Sequence, residues 1–180
     1  MKKKRLCLYC IIFVVFCQLV TTVGLTRTVV AENEKPVLTD AERSVIVDHC
    51  DTIRDNLKFT QREDSRTRVY LGRYYETILS KFITPLNLRL VENTLSDTKL
   101  INNQTSFAAE RAEFMSDFVM YSQALEELTK INCKTEPNLF YEKLEITRTL
   151  RKVVNRDAKK MRELTHEQVK LVEQLRESLK

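Results

Sequence analysis

Glycine, proline, histidine and tryptophan are almost missing from this chain: its 180 residues include two glycines, three prolines, two histidines and no tryptophan. Beyond Ala31 the one glycine is Gly72. Sandwiches, barrels and nucleotide-binding folds place glycine at left-handed turns and at phosphate-cradling loops, so its scarcity excludes them and leaves an all-α body. The shortage of histidine bears on chemistry. His49 and His166 stand alone, and Lys170 occupies the place where a zinc-protease helix opening on His166-Glu167 needs its second histidine. Nucleophile elbow, phosphate loop and metal-spaced cluster are all absent from the sequence. Paired acids such as Glu126-Glu127, or Glu142 with Glu145, read as solvated helix faces in a chain that is 31% charged. The expectation is a non-enzymatic protein with no catalytic, cofactor-binding or metal-binding residues. Asn103-Gln104-Thr105 is a glycosylation acceptor only in a eukaryotic secretory pathway.

What is present begins with a leader. Lys2, Lys3, Lys4 and Arg5 run into an almost unbroken apolar segment, Leu6 to Val20, extended to Leu25. That pattern is an export signal. Cleavage after Ala31 is the preferred outcome, because small or modest side chains at Val29, Val30 and Ala31 precede the polar run from Glu32 to Pro36. The apolar stretch of about 20 residues also suffices to span a bilayer, which keeps a retained membrane anchor open. Residues 1–31 are thus signal or anchor, 32–40 a short linker, and 41–180 a helical domain of ordinary single-domain size. The leader also carries the whole formal charge of +5: Lys2, Lys3, Lys4, Arg5 and Arg27 face no acid before Glu32, and beyond it 25 bases balance 25 acids. A balanced body argues against a nucleic-acid partner.

Stop signals divide that domain into three helices, at about 41–93, 97–131 and 136–179. Thr39 or Asp40 caps the first, the cluster Ser96, Asp97 and Thr98 opens the second, and Thr135 caps the third with Pro137 in its first turn. Short connections make them antiparallel neighbours, an elongated three-helix, coiled-coil-like bundle. The middle helix is the most regular, with Leu100, Phe107, Phe114, Tyr121 and Leu128 recurring every seven residues and Phe118 and Leu125 filling the offset positions. Leu144, Leu150, Val154, Ala158, Met161, Leu164, Leu171, Leu175 and Leu179 continue the seam on the third. On the first, Ile46, Cys50, Ile53 and Leu57 make one half-stripe, and Leu71, Tyr74, Ile78 and Phe82 the other. Between them the seam turns polar from Thr60 to Arg68, either as a solvated helical stretch, the favoured reading, or as a break. Pro85 is expected to kink the helix.

Two further features invite attention. Arg148, Arg151, Lys152, Arg156, Lys159 and Lys160, with Arg162, form a basic run on the third helix. It is either an interaction surface or, preferably, the partner of acids on the second helix, since reversal near Thr135 sets Asp117 level with Lys152, Glu113 with Arg156, and Glu110 with Lys160. With Cys7, Cys10 and Cys17 in the leader, the body keeps Cys50 and Cys133. An even count in an oxidising compartment, centred near residue 91 or 92 where the first two helices reverse, predicts a disulfide between them. Two unrelated thiols are the alternative.

The order of parts has a resemblance to add. The lysine-led export segment, His49-Cys50, the block from Tyr75 through Pro85 to Asn87, Ile131-Asn132-Cys133-Lys134, Pro137 and Phe140-Tyr141 together resemble exported helical proteins of ultrasmall, host-dependent bacteria, a group with no assigned activity. The resemblance implies an envelope location and a helical body, and implies no mechanism or catalytic residue.

The reading that unites these observations is an exported, non-enzymatic helical coiled-coil scaffold or interaction protein of the cell envelope. It would meet a protein partner there, and the membrane through its N-terminal segment if the leader is uncleaved. The alternative is a secreted binding protein, such as an adhesin or periplasmic chaperone, using the polar gap of the first helix or the basic run as its site.

Overall fold

The computed structural model describes residues 38–180. The expected leader and nearly all of the linker lie outside the described residues. Within them every regular element is helical: α1 (Asp40–Asp48), α2 (Cys50–Thr77), a π-helical segment (Ile78–Ile83), α3 (Thr84–Glu92), α4 (Thr98–Lys130) and α5 (Pro137–Ser178). None of these helices is long and apolar enough to cross a membrane.

Local chemistry places the ends. Thr39 opens α1 with a capping box: its hydroxyl accepts from the Glu42 N–H at 3.3 Å, and the Glu42 carboxylate accepts from the Thr39 N–H at 2.9 Å. The Thr39 hydroxyl, donating to that carboxylate at 2.7 Å, and then the Thr39 N–H hold the Glu42 carboxyl below its ordinary range. At α4 the Asp97 carboxylate accepts from the N–H groups of Lys99 and Leu100, at 2.7 and 3.3 Å. Thr94, with φ 59°, ends α3 in a left-handed conformation usually left to glycine, and the Leu95 N–H reaches back to the Leu90 carbonyl at 2.8 Å. The third expected cap moves by one residue. Glu136, not Thr135, precedes α5, and it caps nothing with its side chain, because Pro137 at the helix start leaves one fewer N–H to satisfy.

The expected first helix of 41–93 is corrected in two places. At His49 the α-helical run breaks, separating α1 from α2. Near its other end the chain widens into the π-helical turn of Ile78–Ile83, so that the Thr84 N–H bonds to Leu79 O, five residues back. Pro85 follows directly. Its missing N–H frees a carbonyl in the turn before it, and local π geometry is one way a helix accommodates such a vacancy. The polar stretch 60–68, by contrast, stays helical.

The seam of α4 is buried as its heptads foretell: Leu100, Phe107, Phe114, Phe118, Tyr121, Leu125 and Leu128 all lie in the core. Burying each large side chain stabilises the fold by about 1.5–3 kcal/mol. Phe118 meets Tyr121 edge-on at 5.7 Å, and Tyr75 meets Phe107 edge-on at 6.1 Å. Helices α4 and α5 run antiparallel, fixed by Glu127 with Lys143 at 3.1 Å and Glu110 with Lys160 at 2.7 Å, pairs centred on the Thr135 turn. Helix α2 runs antiparallel to α4. The Cys50–Cys133 disulfide, with Cα atoms 5.6 Å apart, and the neighbouring Asp51–Lys134 pair at 2.6 Å tie their ends.

Three apolar clusters follow one another along the core. One surrounds Phe114, Phe118 and Cys133, the next Tyr75, Ile83 and Phe107, and the last Leu90, Leu100 and Leu171. Buried carboxamides accompany the last two, one from each of α3, α4 and α5: Asn87, Asn103 and Gln168. Asn87 Nδ2 donates to Leu100 O at 3.1 Å and to Gln104 Oε1 at 2.7 Å, and Asn103 Nδ2 donates to Leu164 O at 3.3 Å. Asn103 is therefore a core residue, which removes Asn103-Gln104-Thr105 as an accessible glycan acceptor in the folded chain.

Candidate docking groove

The side chains sequence reasoning singled out are mostly engaged with one another. In the basic run Arg151 pairs with Asp64 at 3.0 Å, Arg156 with Asp157 at 3.0 Å, Lys159 with Glu163 at 3.7 Å, Lys160 with Glu110 at 2.7 Å, and Arg148 with Glu145. Among the described residues Lys152 alone of the six makes no ion pair. Of the three expected interhelical pairs, Glu110–Lys160 forms. The other two do not: Asp157, only 1% exposed and beside Asp117, takes the Arg156 guanidinium, and Lys152 stays unpaired among the described residues. Burial, followed by that carboxyl neighbour, raises the Asp117 pKa above the usual range. Glu110 raises the pKa of Lys160 by hydrogen bond and charge.

The polar gap is likewise occupied from within. Tyr121 Oη donates to Asp64 at 2.6 Å, and the Arg68 guanidinium lies 5.3 Å from the Phe118 ring centre. Burial, then the Asp64 carboxylate, pushes the Tyr121 pKa up. The seam turns polar there because α4 offers a phenol and an aromatic face instead of aliphatic side chains. His49 and His166 are both exposed, and no metal-binding cluster exists among the described residues.

One exposed surface carries side chains that 3.6-residue spacing assigns to the core. Tyr74 and Phe82 were expected on the buried stripe, yet Tyr74 is 46% and Phe82 66% exposed, while Tyr75 and Ile83 are buried. From Leu71 the stripe advances by four residues to Tyr75, and the wide π turn then carries Ile83 inward and Phe82 out. Phe82, Tyr74, Ile78 and Leu86 form one wall of an open groove of about 720 Å³, and Val169 and Val172 of α5 form the other. Tyr70, exposed beyond the groove, stacks parallel to Tyr74 at 6.4 Å.

Polar groups sit at defined places around this apolar lining. Lys81 and Arg89 stand on the first wall and Glu173 on the second, and none of the three enters an ion pair within the described residues. Gln168 lines the groove while only 7% exposed, and neither its Nε2 nor its Oε1 has a hydrogen-bond partner. The signal that would have found the site is the proline. Pro85 after an apolar run marks a turn whose periodicity departs from 3.6, and π turns gather at functional sites. Chemically the groove offers apolar contact, two cations and an unmet amide.

Comparison of the chain with protein-family models, with curated proteins and with solved structures finds no match.

Proposed function

We propose that this protein is an exported, non-enzymatic helical scaffold or interaction protein of the cell envelope, built as an elongated three-helix, coiled-coil-like bundle. One observation carries the reading: an open groove walled by Tyr74, Ile78, Phe82 and Leu86 exposes aromatic and aliphatic surface that a lone soluble body gains nothing by exposing. The lysine-led apolar leader supports export. The resemblance to exported helical proteins of host-dependent bacteria points to the same compartment. Helix α5, with 42 residues, is about 63 Å long at ~1.5 Å per residue, a reach suited to a projecting contact surface.

The secreted binding protein remains the second reading. Its original sites lose force, since the polar gap and five of the six basic side chains are engaged internally. The test is a photo-crosslinking residue at position 82 of the full chain in its native cell. A covalent protein adduct is expected there, on material that stays with membranes after an alkaline wash. Absence of any adduct at positions 82 and 70 removes the interaction reading. An adduct on a soluble form beginning at Glu32 favours the secreted binding protein.

A further inference from the structure

We propose that the groove holds an extended, mostly apolar peptide segment of a partner protein, bearing an acidic residue against Lys81 and Arg89. This deepens the interaction-protein reading and rests on it. Three observations select the occupant. Gln168 lines the groove with both an unmet donor and an unmet acceptor, nine-tenths buried. A side-chain amide in that state matches a ligand that offers an acceptor and a donor side by side, as the N–H and C=O of one residue in an extended chain do. A helix satisfies its backbone internally, and a lipid chain has no donor or acceptor to offer.

Charge narrows the ligand further. Lys81 and Arg89 occupy the same wall, eight residues apart, and both are exposed without an acidic partner. An acidic side chain placed between them meets the cations that the fold leaves unneutralised, while Glu173 disfavours acids along the opposite wall. Length is consistent too. From Tyr74 to Arg89 the wall runs about 22 Å at ~1.5 Å per helical residue, the span of about seven extended residues at ~3.3 Å each. Apolar side chains would fall against Phe82, Ile78 and Val172, with one residue's N–H and C=O meeting the Gln168 amide as it turns from its covered position toward the groove.

The experiment pans a displayed library of random peptides, about seven residues long, on the exported full chain and counter-selects against full chain carrying Phe82→Glu. Phe82 is exposed, so this variant keeps its helical circular dichroism. The enriched pool is expected to combine apolar residues with at least one aspartate or glutamate. A fluorescein-labelled peptide from that pool should bind with an affinity that falls about tenfold or more in the Lys81→Glu, Arg89→Glu double variant and about threefold or more in Gln168→Met. Val45→Glu, in a separate groove around Ile46 and Tyr141, should leave it unchanged. An enriched pool without acids, no enrichment over Phe82→Glu, or affinity insensitive to Lys81 and Arg89 overturns the proposal. So does sedimentation showing a self-association that Phe82→Glu abolishes, since a second copy would then fill the groove. Binding to phosphatidylglycerol vesicles that Phe82→Glu abolishes, in place of peptide binding, overturns it equally. A protein adduct at position 82 together with failed panning would remove the extended-peptide class alone and leave the interaction reading standing.

Discussion

Cys50 and Cys133 are joined across 83 residues of sequence with their Cα atoms 5.6 Å apart, and the disulfide clamps the start of α2 to the chain just beyond α4. Next to it Lys134 Nζ reaches the Asp51 carboxylate at 2.6 Å and holds the Asp51 pKa down. In the chain-entropy account a loop of that length stabilises the fold by about 4–5 kcal/mol. Cys133→Ser should therefore lower the melting temperature by about 8–20 °C in oxidising buffer, since ~1 kcal/mol corresponds to ~2–4 °C at this size. With reductant present, the variant and the parent should melt together. Equal melting in oxidising buffer would mean the bond contributes nothing.

Lys160 and Arg156 share one property among the basic side chains, a buried partner: Glu110 is only 3% and Asp157 1% exposed, whereas the acids facing Arg148 and Lys159 are solvated. Removing Lys160 leaves a desolvated carboxylate alone. Lys160→Ala should lower the melting temperature clearly, and Lys152→Ala, which breaks no ion pair, should not move it. Adding Glu110→Leu to Lys160→Ala should recover part of the loss, as coupled sites do in a double-mutant cycle. Strict additivity would deny the coupling and free Lys160 for an outside partner.

Asp117 makes stability depend on pH in a direction opposite to that of most surface acids. Its pKa is raised first by burial, then by the neighbouring Asp157 carboxyl. Glu113 adds to the rise and Arg156 opposes it. The folded chain thus prefers the protonated form. The stabilising contribution is complete below the ordinary value of 3.8 and is lost as pH rises through the raised folded value. Asp117→Asn should remove that loss, raising the melting temperature at neutral pH and leaving it near the parent's in acid. A variant less stable than the parent at neutral pH would show that the ionised carboxylate is needed.

How much of this was legible depends on what each residue reports. The seven-residue spacing from Leu100 to Leu128 reports which face is buried, and every one of those side chains is in the core. Centring about the turns gave the Cys50–Cys133 and Glu110–Lys160 neighbours, because antiparallel helices of equal rise place such residues level. The first helical run failed where its geometry departs from that rise. The wide turn at Ile78–Ile83 shifts the phase, so Phe82 passes for core in a 3.6-residue reading and is in fact the rim of the groove. Arg156 failed for another reason. Spacing ranks partners by helix position alone, and the adjacent, buried Asp157 outcompetes Glu113 for the guanidinium. Gln168 had no signal, since a polar residue at a seam position reads as surface until its neighbours are known.

Gln168 gives the sharpest separation of stability from recognition. In the folded chain its Nε2 and Oε1 are buried without partners, and leaving such an amide unmet costs about 1–3 kcal/mol. An unbranched apolar side chain of similar length removes that cost while still filling the space. Gln168→Met should accordingly raise the melting temperature by about 2–12 °C, taking ~2–4 °C per kcal/mol, while weakening capture of an acidic, apolar peptide by the groove. A side chain kept at the expense of stability is what a binding residue looks like. Thermal melts of the variant and the parent, followed by helical circular dichroism, decide the point. A lower melting temperature for Gln168→Met would show that the amide is held by partners inside the bundle, making Gln168 a register-setting core residue alongside Asn87 and Asn103.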